Sequence, residues 1–285
     1  MRAIAGKLGK IEVGDDFPVK LVGIVNLSPE SFYKQDTTPK GLEQIIRTHL
    51  EEKADILDLG GQSTAPVQIY GSSARVSVEE ELKRVQKAFK LISEFDLSSC
   101  ELSIDTQQAA VAEYALNKGA SIVNDISGLK TDERMAKVVA DHDGSLIVMA
   151  TKTKPGDVTS ISSIISALHE SLQIASLAEI SPEQIAIDPG IGSWGGRPFW
   201  HDYEILNQLE RLRELRRPIY VGVSRKSLVG AILDKSPEDR LAGSLAATGI
   251  AVYNGTHIIR THDVGATLDA VRIAEKMREA RKKLR

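Results

Sequence analysis

The chain has 285 residues, 42% of them hydrophobic and 26% charged, which accommodates one large α/β domain or two small ones. A net charge of −3 gives no footing for a nucleic-acid or anionic-membrane partner, and the basic end KMREARKKLR reads as a solvated helix terminus whose cations suit the negative end of the helix dipole. The single cysteine, Cys100, excludes an internal disulfide framework; with no apolar leader core in MRAIAGKLGKIEVGDD and no apolar run of about 18 residues, the expectation is a cytoplasmic protein.

Residues 1–18 are expected to form a short hairpin, an N-terminal extension that plugs one end of the fold. Eight short β-branched runs follow: 19–26 (VKLVGIVN), 54–61 (ADILDLGG), 101–106 (ELSIDT), 120–125 (ASIVND), 145–150 (SLIVMA), 184–190 (QIAIDPG), 218–224 (PIYVGVS) and 256–262 (THIIRTH). Each is nearly continuous in apolar character, as parallel strands covered on both faces require. The segments between them have helical spacing. In 77–95, Ser77 with Glu80 predicts a capping box, and Val78, Leu82, Val85, Phe89 and Ile92 share one stripe. Further helices are expected over 163–180, over 236–255 (a Ser cap, Pro at the first position, closure on Asn-Gly), and from DVGATLDAVRIAEKM onward. Eight strand–helix units with no linker, near the usual size of about 250 residues, predict a single-domain (β/α)8 TIM barrel over 19–285. An open doubly wound sheet fits less well, because no glycine-rich fingerprint dominates an early strand–helix turn.

In such a barrel the C-terminal strand ends converge on one face. They supply Asn26, Asp58, Asp105, Asn124 with Asp125, Asp188, Arg225 with Lys226, and Arg260 with His262; the fifth strand alone ends without a polar group. Any single Asp or Asn there could cap the next helix. Capping does not require Arg-Lys and Arg-x-His pairs to face carboxylates, and buried charges need partners. Asp and Asn with a lysine match the edge of a flat heterocycle, whereas Arg and His suit phosphate oxygens, so a ligand with a polar heterocyclic head and an anionic tail would use the whole set. Six histidines without ligand spacing and one cysteine argue against an imidazole–thiolate metal centre and leave room for Mg²⁺ held by oxygen ligands and a diphosphate. No G-x-S-x-G motif supports covalent acyl chemistry.

Taken in order, GIVNLSPESF (23–32), DILDLGGQSTAP (55–66), SIDT (103–106), IVNDISG (122–128), IDPGIG (187–192), VGVSRKSLVG (221–230) and RLAGSLAATGIAVYNGTHIIRTHDV (240–264) resemble the successive motifs of the dihydropteroate synthase family, within the wider pterin-binding barrels. The block NLSPESFYK resembles archaeal members. The resemblance implies transfer of a dihydropterin-6-methyl group from its diphosphate to an arylamine, with release of pyrophosphate. The arylamine would be p-aminobenzoate or a ribofuranosyl-aminobenzene phosphate. It also implies a homodimer through late barrel helices. It assigns Asp105, Asn124, Asp188, Lys226 and Arg260 to the pterin. Asn26, Thr64, Ser224, Arg225 and His262 fall on the diphosphate and acceptor side, with Asn26 also touching Mg²⁺. Asp105, Lys226, Arg260 and His262 would carry the chemistry, Arg260 and His262 by neutralising the departing oxygens.

Three places depart from the family pattern, all on the acceptor or leaving-group side. Ala65 stands where an arginine is usual, VMATKTKPGD replaces a Met-His-Met stretch with Met149, Ala150, Thr151 and Lys152, and Ser193-Trp194 replace Phe-Gly-Lys after DPGIG. Either another cation such as Lys152 or Arg197 compensates, or the acceptor is the larger phosphorylated amine. A pterin-dependent methyltransferase and a non-catalytic pterin-binding homologue are the alternatives in other classes.

Overall fold

The computed structural model describes residues 3–29, 33, 36–62, 76–192 and 197–283. Strands Ala5–Leu8 (β1) and Ile11–Gly14 (β2) pair antiparallel with Leu8 opposite Ile11, so Gly9 and Lys10 alone make the turn. Gly9 takes φ +57°, and a β-carbon there would run into the Glu101 carboxylate and the Ser121 hydroxyl. Only glycine enters that conformation without cost.

All eight apolar runs become parallel strands: Lys20–Asn26 (β3), Ile56–Gly60 (β4), Glu101–Asp105 (β5), Ile122–Asp125 (β6), Ser145–Met149 (β7), Ile185–Asp188 (β8), Tyr220–Val221 (β9) and Ile258–Thr261 (β10). The ladder runs β8-β7-β6-β5-β4-β3-β10-β9. Its two ends meet through a parallel bridge between Ile187 and Ile219 and the Ile187 N–H donating to the Pro218 carbonyl at 2.9 Å, which closes the barrel. The surrounding helices are Pro39–Glu51 (α1), Val78–Ile92 (α2), Ala109–Asn117 (α3), Met135–Asp141 (α4), Ile161–Leu177 (α5), Trp200–Asn207 (α6), Ser227–Leu233 (α7), Leu241–Tyr253 (α8) and Val264–Lys283 (α9). Among the described residues no helix is long and apolar enough to cross a membrane.

Two hydrophobic clusters separate by strand parity. Leu57, Leu59, Leu102, Ile104, Val123, Val148 and Ile187 face outward onto the helices, whereas Val22, Ile56, Ile122, Ile147, Ala186, Tyr220 and Ile258 fill the lower barrel interior. Leu8 and Val13 of the hairpin join the interior cluster and close it from below. The period of two therefore decides which polar residues enter the barrel: Asp58 follows Ile56, Asn124 follows Ile122, Asp188 follows Ala186, and Arg260 follows Ile258. Asp15 latches the hairpin by accepting from Arg213 at 2.8 and 2.6 Å and from the Ile4 N–H at 2.8 Å. Burial alone would raise its carboxyl, but hydrogen bonds from His257, Arg213 and Ile4 hold it well below the usual carboxylate range.

Two helix expectations need correction. Ser77 does cap α2, accepting from the Glu80 N–H at 3.2 Å, yet the Glu80 carboxylate accepts from Arg84 Nε at 3.2 Å one turn on, so the reciprocal half of the box gives way to a surface i,i+4 pair. The segment 236–255 is not one helix. It splits into a 3₁₀ turn at Pro237–Asp239 and α8 from Leu241, because Arg225 Nη1 takes the Pro237 and Glu238 carbonyls at 3.0 and 2.6 Å and removes them from a continuous ladder.

Candidate active site

Above the apolar floor the inward positions turn polar, and their charges interlock. Fully buried Asp58 is the hub: its Oδ2 accepts from Arg260 Nε at 2.7 Å and from Asn124 Nδ2 at 3.2 Å. Arg260 Nη2 donates to Asp105 Oδ2 at 2.9 Å, so the guanidinium is clamped between carboxylates from β4 and β5. Burial pushes the Asp105 carboxyl up to about 7; Arg260 opposes this, while Asp58, Glu81 and Asp125 add to it. Asn124 is 2% exposed, and among the described residues its Oδ1 has no partner, nor does Asp58 Oδ1.

Across the barrel mouth, Asp188 ends β8, where its Oδ1 accepts from the Gly190 N–H at 2.7 Å. Gly190 adopts φ +74° to make that turn. Burial raises the Asp188 carboxyl, opposed chiefly by the charge of Lys226. Lys226 Nζ donates to the Ile191 carbonyl, and burial brings its ammonium down to about 8 although Asp188 pulls the other way. The loop under them is held by Arg197, whose Nη2 donates to the Gly190 and Gly192 carbonyls at 2.7 and 2.9 Å and to Asp202 Oδ1 at 2.5 Å, while Nη1 donates to the Val158 carbonyl at 2.9 Å.

Lys226 reaches the site because the chain turns sharply just before it. Arg225 sits at φ +56°, a left-handed conformation unusual for a side-chain-bearing residue, and is fixed there by its N–H donating to Ser244 Oγ at 2.8 Å. Its guanidinium donates twice to Asp263, at 2.8 and 2.7 Å, besides the two carbonyls of the 3₁₀ turn. At the end of β10, the His262 N–H donates to Ser224 Oγ at 3.2 Å, and Nδ1 lies 3.0 Å from the same hydroxyl. Burial, then the cations Arg260 and Arg225, hold the His262 imidazole well below its usual 6.5. At the end of β4, a β-carbon on Gly60 would stand 3.9 Å from Asp105 Oδ2 and 4.0 Å from Asn26 Oδ1, so glycine keeps the gap between these side chains open.

The donor-side residues Asp105, Asn124, Asp188, Lys226 and Arg260 thus come together at one barrel mouth, with Asn26, Ser224 and His262 at its rim. Several expectations change. Burial beside Arg260 and Arg225 disfavours a charge on His262 in the absence of an anion. Four of the donor contacts of Arg225 are committed to Asp263 and two carbonyls, which makes it the anchor of the Lys226 turn. Arg197 is committed to holding the 190–192 loop and is not free to act as an acceptor-side cation. Lys152 lies exposed in a loop whose backbone N–H groups donate to Asp157. Thr151 is buried, donating to the Ile126 carbonyl at 2.8 Å. Asp125 accepts from the Ser127 and Leu129 N–H groups and closes its own turn. Thr64, Ala65, Ser193 and Trp194 lie outside the described residues.

Sequence reasoning missed the supports. Tyr220 Oη lies 3.4 Å from Asn124 Nδ2, and buried Glu81 accepts from Thr106 Oγ1 at 2.6 Å. Tyr220 shares strand parity with Gly222 and Ser224, a signal that it faces inward. Nothing in the sequence marks Glu81 apart from the exposed acids beside it.

Among the described residues no three His, Cys, Asp or Glu side chains gather to hold a metal. Were Mg²⁺ to bind among these residues, the Asn26 amide oxygen would hold it, with a diphosphate and water supplying the remaining oxygens, the usual manner of this ion in phosphate chemistry.

Residues 22–262 match the family model described as pterin binding enzyme. The chain is 36% identical over 266 residues to the dihydropteroate synthase of Clostridium beijerinckii, covering 90% of this chain and 94% of that one. The structure of a Coxiella burnetii dihydropteroate synthase in complex with pteroic acid aligns with a TM-score of 0.84 and 33% identity over 97% of this chain and 99% of that one. A Xanthomonas albilineans dihydropteroate synthase with 4-aminobenzoic acid aligns with a TM-score of 0.83 and 31% identity over 97% and 98%.

Proposed function

The chain belongs to the pterin-binding enzymes and, within them, to the dihydropteroate synthases; from that membership we propose that it condenses 6-hydroxymethyl-dihydropterin diphosphate with p-aminobenzoate and releases pyrophosphate. The observation that carries this reading is the Asp105–Arg260–Asp58–Asn124 chain facing Asp188 and Lys226 across one barrel mouth. It offers acceptors and donors to a flat heterocycle and a cation above it.

In this reading the Asp188 carboxylate and Asn124 Oδ1 accept from the amino and ring N–H groups of the pterin, and Lys226 donates to its carbonyl edge. Arg260 lies at the ring and the diphosphate, where its charge, already fixed between Asp58 and Asp105, needs no reorganisation as the leaving oxygens become more negative. His262, steadied by Ser224, donates a hydrogen bond to the same oxygens. Mg²⁺ bound through Asn26 would supply further neutralisation of the diphosphate. As the C–O bond breaks, positive character spreads from the methylene into the ring, and the Asp105 carboxylate stabilises it electrostatically. The arylamine is already nucleophilic, so it needs placement more than deprotonation.

A second copy of the chain is the partner we assign to the apolar face of α8 and α9. Ile250, Ile273 and Met277 stand 49%, 67% and 58% exposed there around a groove lined by Leu245, Gly249 and Ala270, a contiguous apolar face of the kind that marks an interface. Light scattering should give twice the chain mass, and Ile273→Glu should give the single-chain mass; an unchanged protein that runs as one chain would contradict the assignment.

The activity is tested by pyrophosphate release from the pterin diphosphate. Release that requires p-aminobenzoate supports the synthase reading. Release only with a ribofuranosyl-aminobenzene phosphate moves the acceptor to the phosphorylated class, and no release with either removes the synthase activity.

A further inference from the structure

Asn124 has two different ends, and the protein distinguishes them. Nδ2 faces Asp58 Oδ2 at 3.2 Å and Tyr220 Oη at 3.4 Å, whereas among the described residues the buried Oδ1 meets no partner. Turning the amide over would set Oδ1 against a carboxylate oxygen with no proton between them. That carboxylate cannot swing away, because the same oxygen accepts from Arg260 Nε at 2.7 Å. Tyr220 is equally fixed: it is 1% exposed, and its ring packs with Val22, Ile56, Ile122, Ile147 and Ile258 in the barrel floor. Burial pushes its phenol well above the usual 10, so its hydroxyl stays protonated and uncharged at the foot of the site.

We propose that Tyr220, together with Asp58, is a positioning residue that orients the Asn124 amide so that the donor site presents a hydrogen-bond acceptor, and not a donor, to the head of its ligand. The site then selects heterocycles that carry an N–H at that edge and rejects those that carry a lone pair there. Tyr220 touches no ligand in this account; it acts through Asn124. The Asp58 carboxylate, which can only accept, fixes which end of the amide faces it, and the Tyr220 hydroxyl accepts from the same Nδ2 and holds the amide in place. The inference rests on the reading of this mouth as a pterin site.

The experiment is a double-variant cycle with pteroic acid titrated calorimetrically into the full chain, the variants being Tyr220→Phe, Asn124→Ala and both together. Tyr220→Phe keeps the ring and therefore the floor, and thermal melts of all proteins are recorded alongside. The expected result is a loss of about three- to tenfold in affinity for Tyr220→Phe, the range of one net hydrogen bond, and a change within about twofold when the same substitution is made on Asn124→Ala. Should the double variant bind too weakly to titrate, the Asn124 side-chain NH₂ signals of ¹⁵N-labelled protein give the readout: Tyr220→Phe must shift them and speed their exchange. Unchanged affinity in Tyr220→Phe, an equal loss on the Asn124→Ala background, or unchanged amide signals would overturn the inference while leaving the pterin site standing. Absence of pteroic acid binding by the unchanged protein would instead remove the pterin reading, and this inference with it.

Discussion

Replacing Arg260 by methionine is expected to lower kcat/KM for pyrophosphate release by about a thousandfold, the scale of losing a preorganised charge at a leaving group. The substitution also leaves Asp58 and Asp105 buried without their shared cation. Removing one partner from such a pair typically costs about 3–5 kcal/mol, so the melting temperature should fall as well. Arg260→Lys separates the two effects. A lysine restores one positive charge between the carboxylates and most of the stability, but a single ammonium cannot reproduce the fork that reaches Asp58 through Nε and Asp105 through Nη2 at once. The lysine variant should therefore melt near the unchanged protein and remain at least about a hundredfold impaired. Steady-state rates beside thermal melts check this, and a methionine variant within tenfold of full activity would contradict the role given to Arg260.

Replacing Asp188 by alanine is expected to weaken pteroic acid binding by at least about a hundredfold, since a buried carboxylate that accepts from a ligand contributes charge-assisted hydrogen bonds of roughly 1.5–3 kcal/mol each. A second loss compounds the first. Asp188 is the main group that keeps the buried Lys226 charged, and without it the ammonium, already brought down to about 8, gives up its proton more readily. Lys226 and Asp105 together shape the pH dependence of the unchanged protein. The Lys226 charge is present below about 8 and is lost as pH rises through that value, while the Asp105 carboxylate is present above about 7 and is lost as pH falls through it. Affinity should peak between those values and decline on both sides.

How much of this was legible in the sequence follows from periodicity. Continuous apolar runs located every barrel strand, because strands buried on both faces cannot hide among polar residues. The polar residues that gather at the barrel mouth were legible too, since a charge at the end of such a run is costly unless a partner or ligand meets it. The supports were not. Arg197 and Arg225 read as cations available to the anionic side of a ligand, and only the fold shows their donors engaged by Asp202, Asp263 and backbone carbonyls. The depressed basicity of His262 was hidden for a related reason: it comes from burial beside Arg260 and Arg225, groups 2 and 37 positions away along the chain. The break before α8 escaped notice because an arginine from another segment causes it, whereas the local Ser-Pro signal favours an unbroken helix.

The account stands most directly on Asp188 as the residue that holds the pterin head. Pteroic acid titrated calorimetrically into the unchanged protein and into Asp188→Ala at about pH 7.5, midway between the Asp105 and Lys226 values, decides it. Tight binding by the first and affinity at least about a hundredfold weaker in the second, with both proteins melting as folded chains, is the result expected. Equal affinity in the two would contradict it and would place the heterocycle away from the mouth formed by Asp188, Asn124 and Lys226.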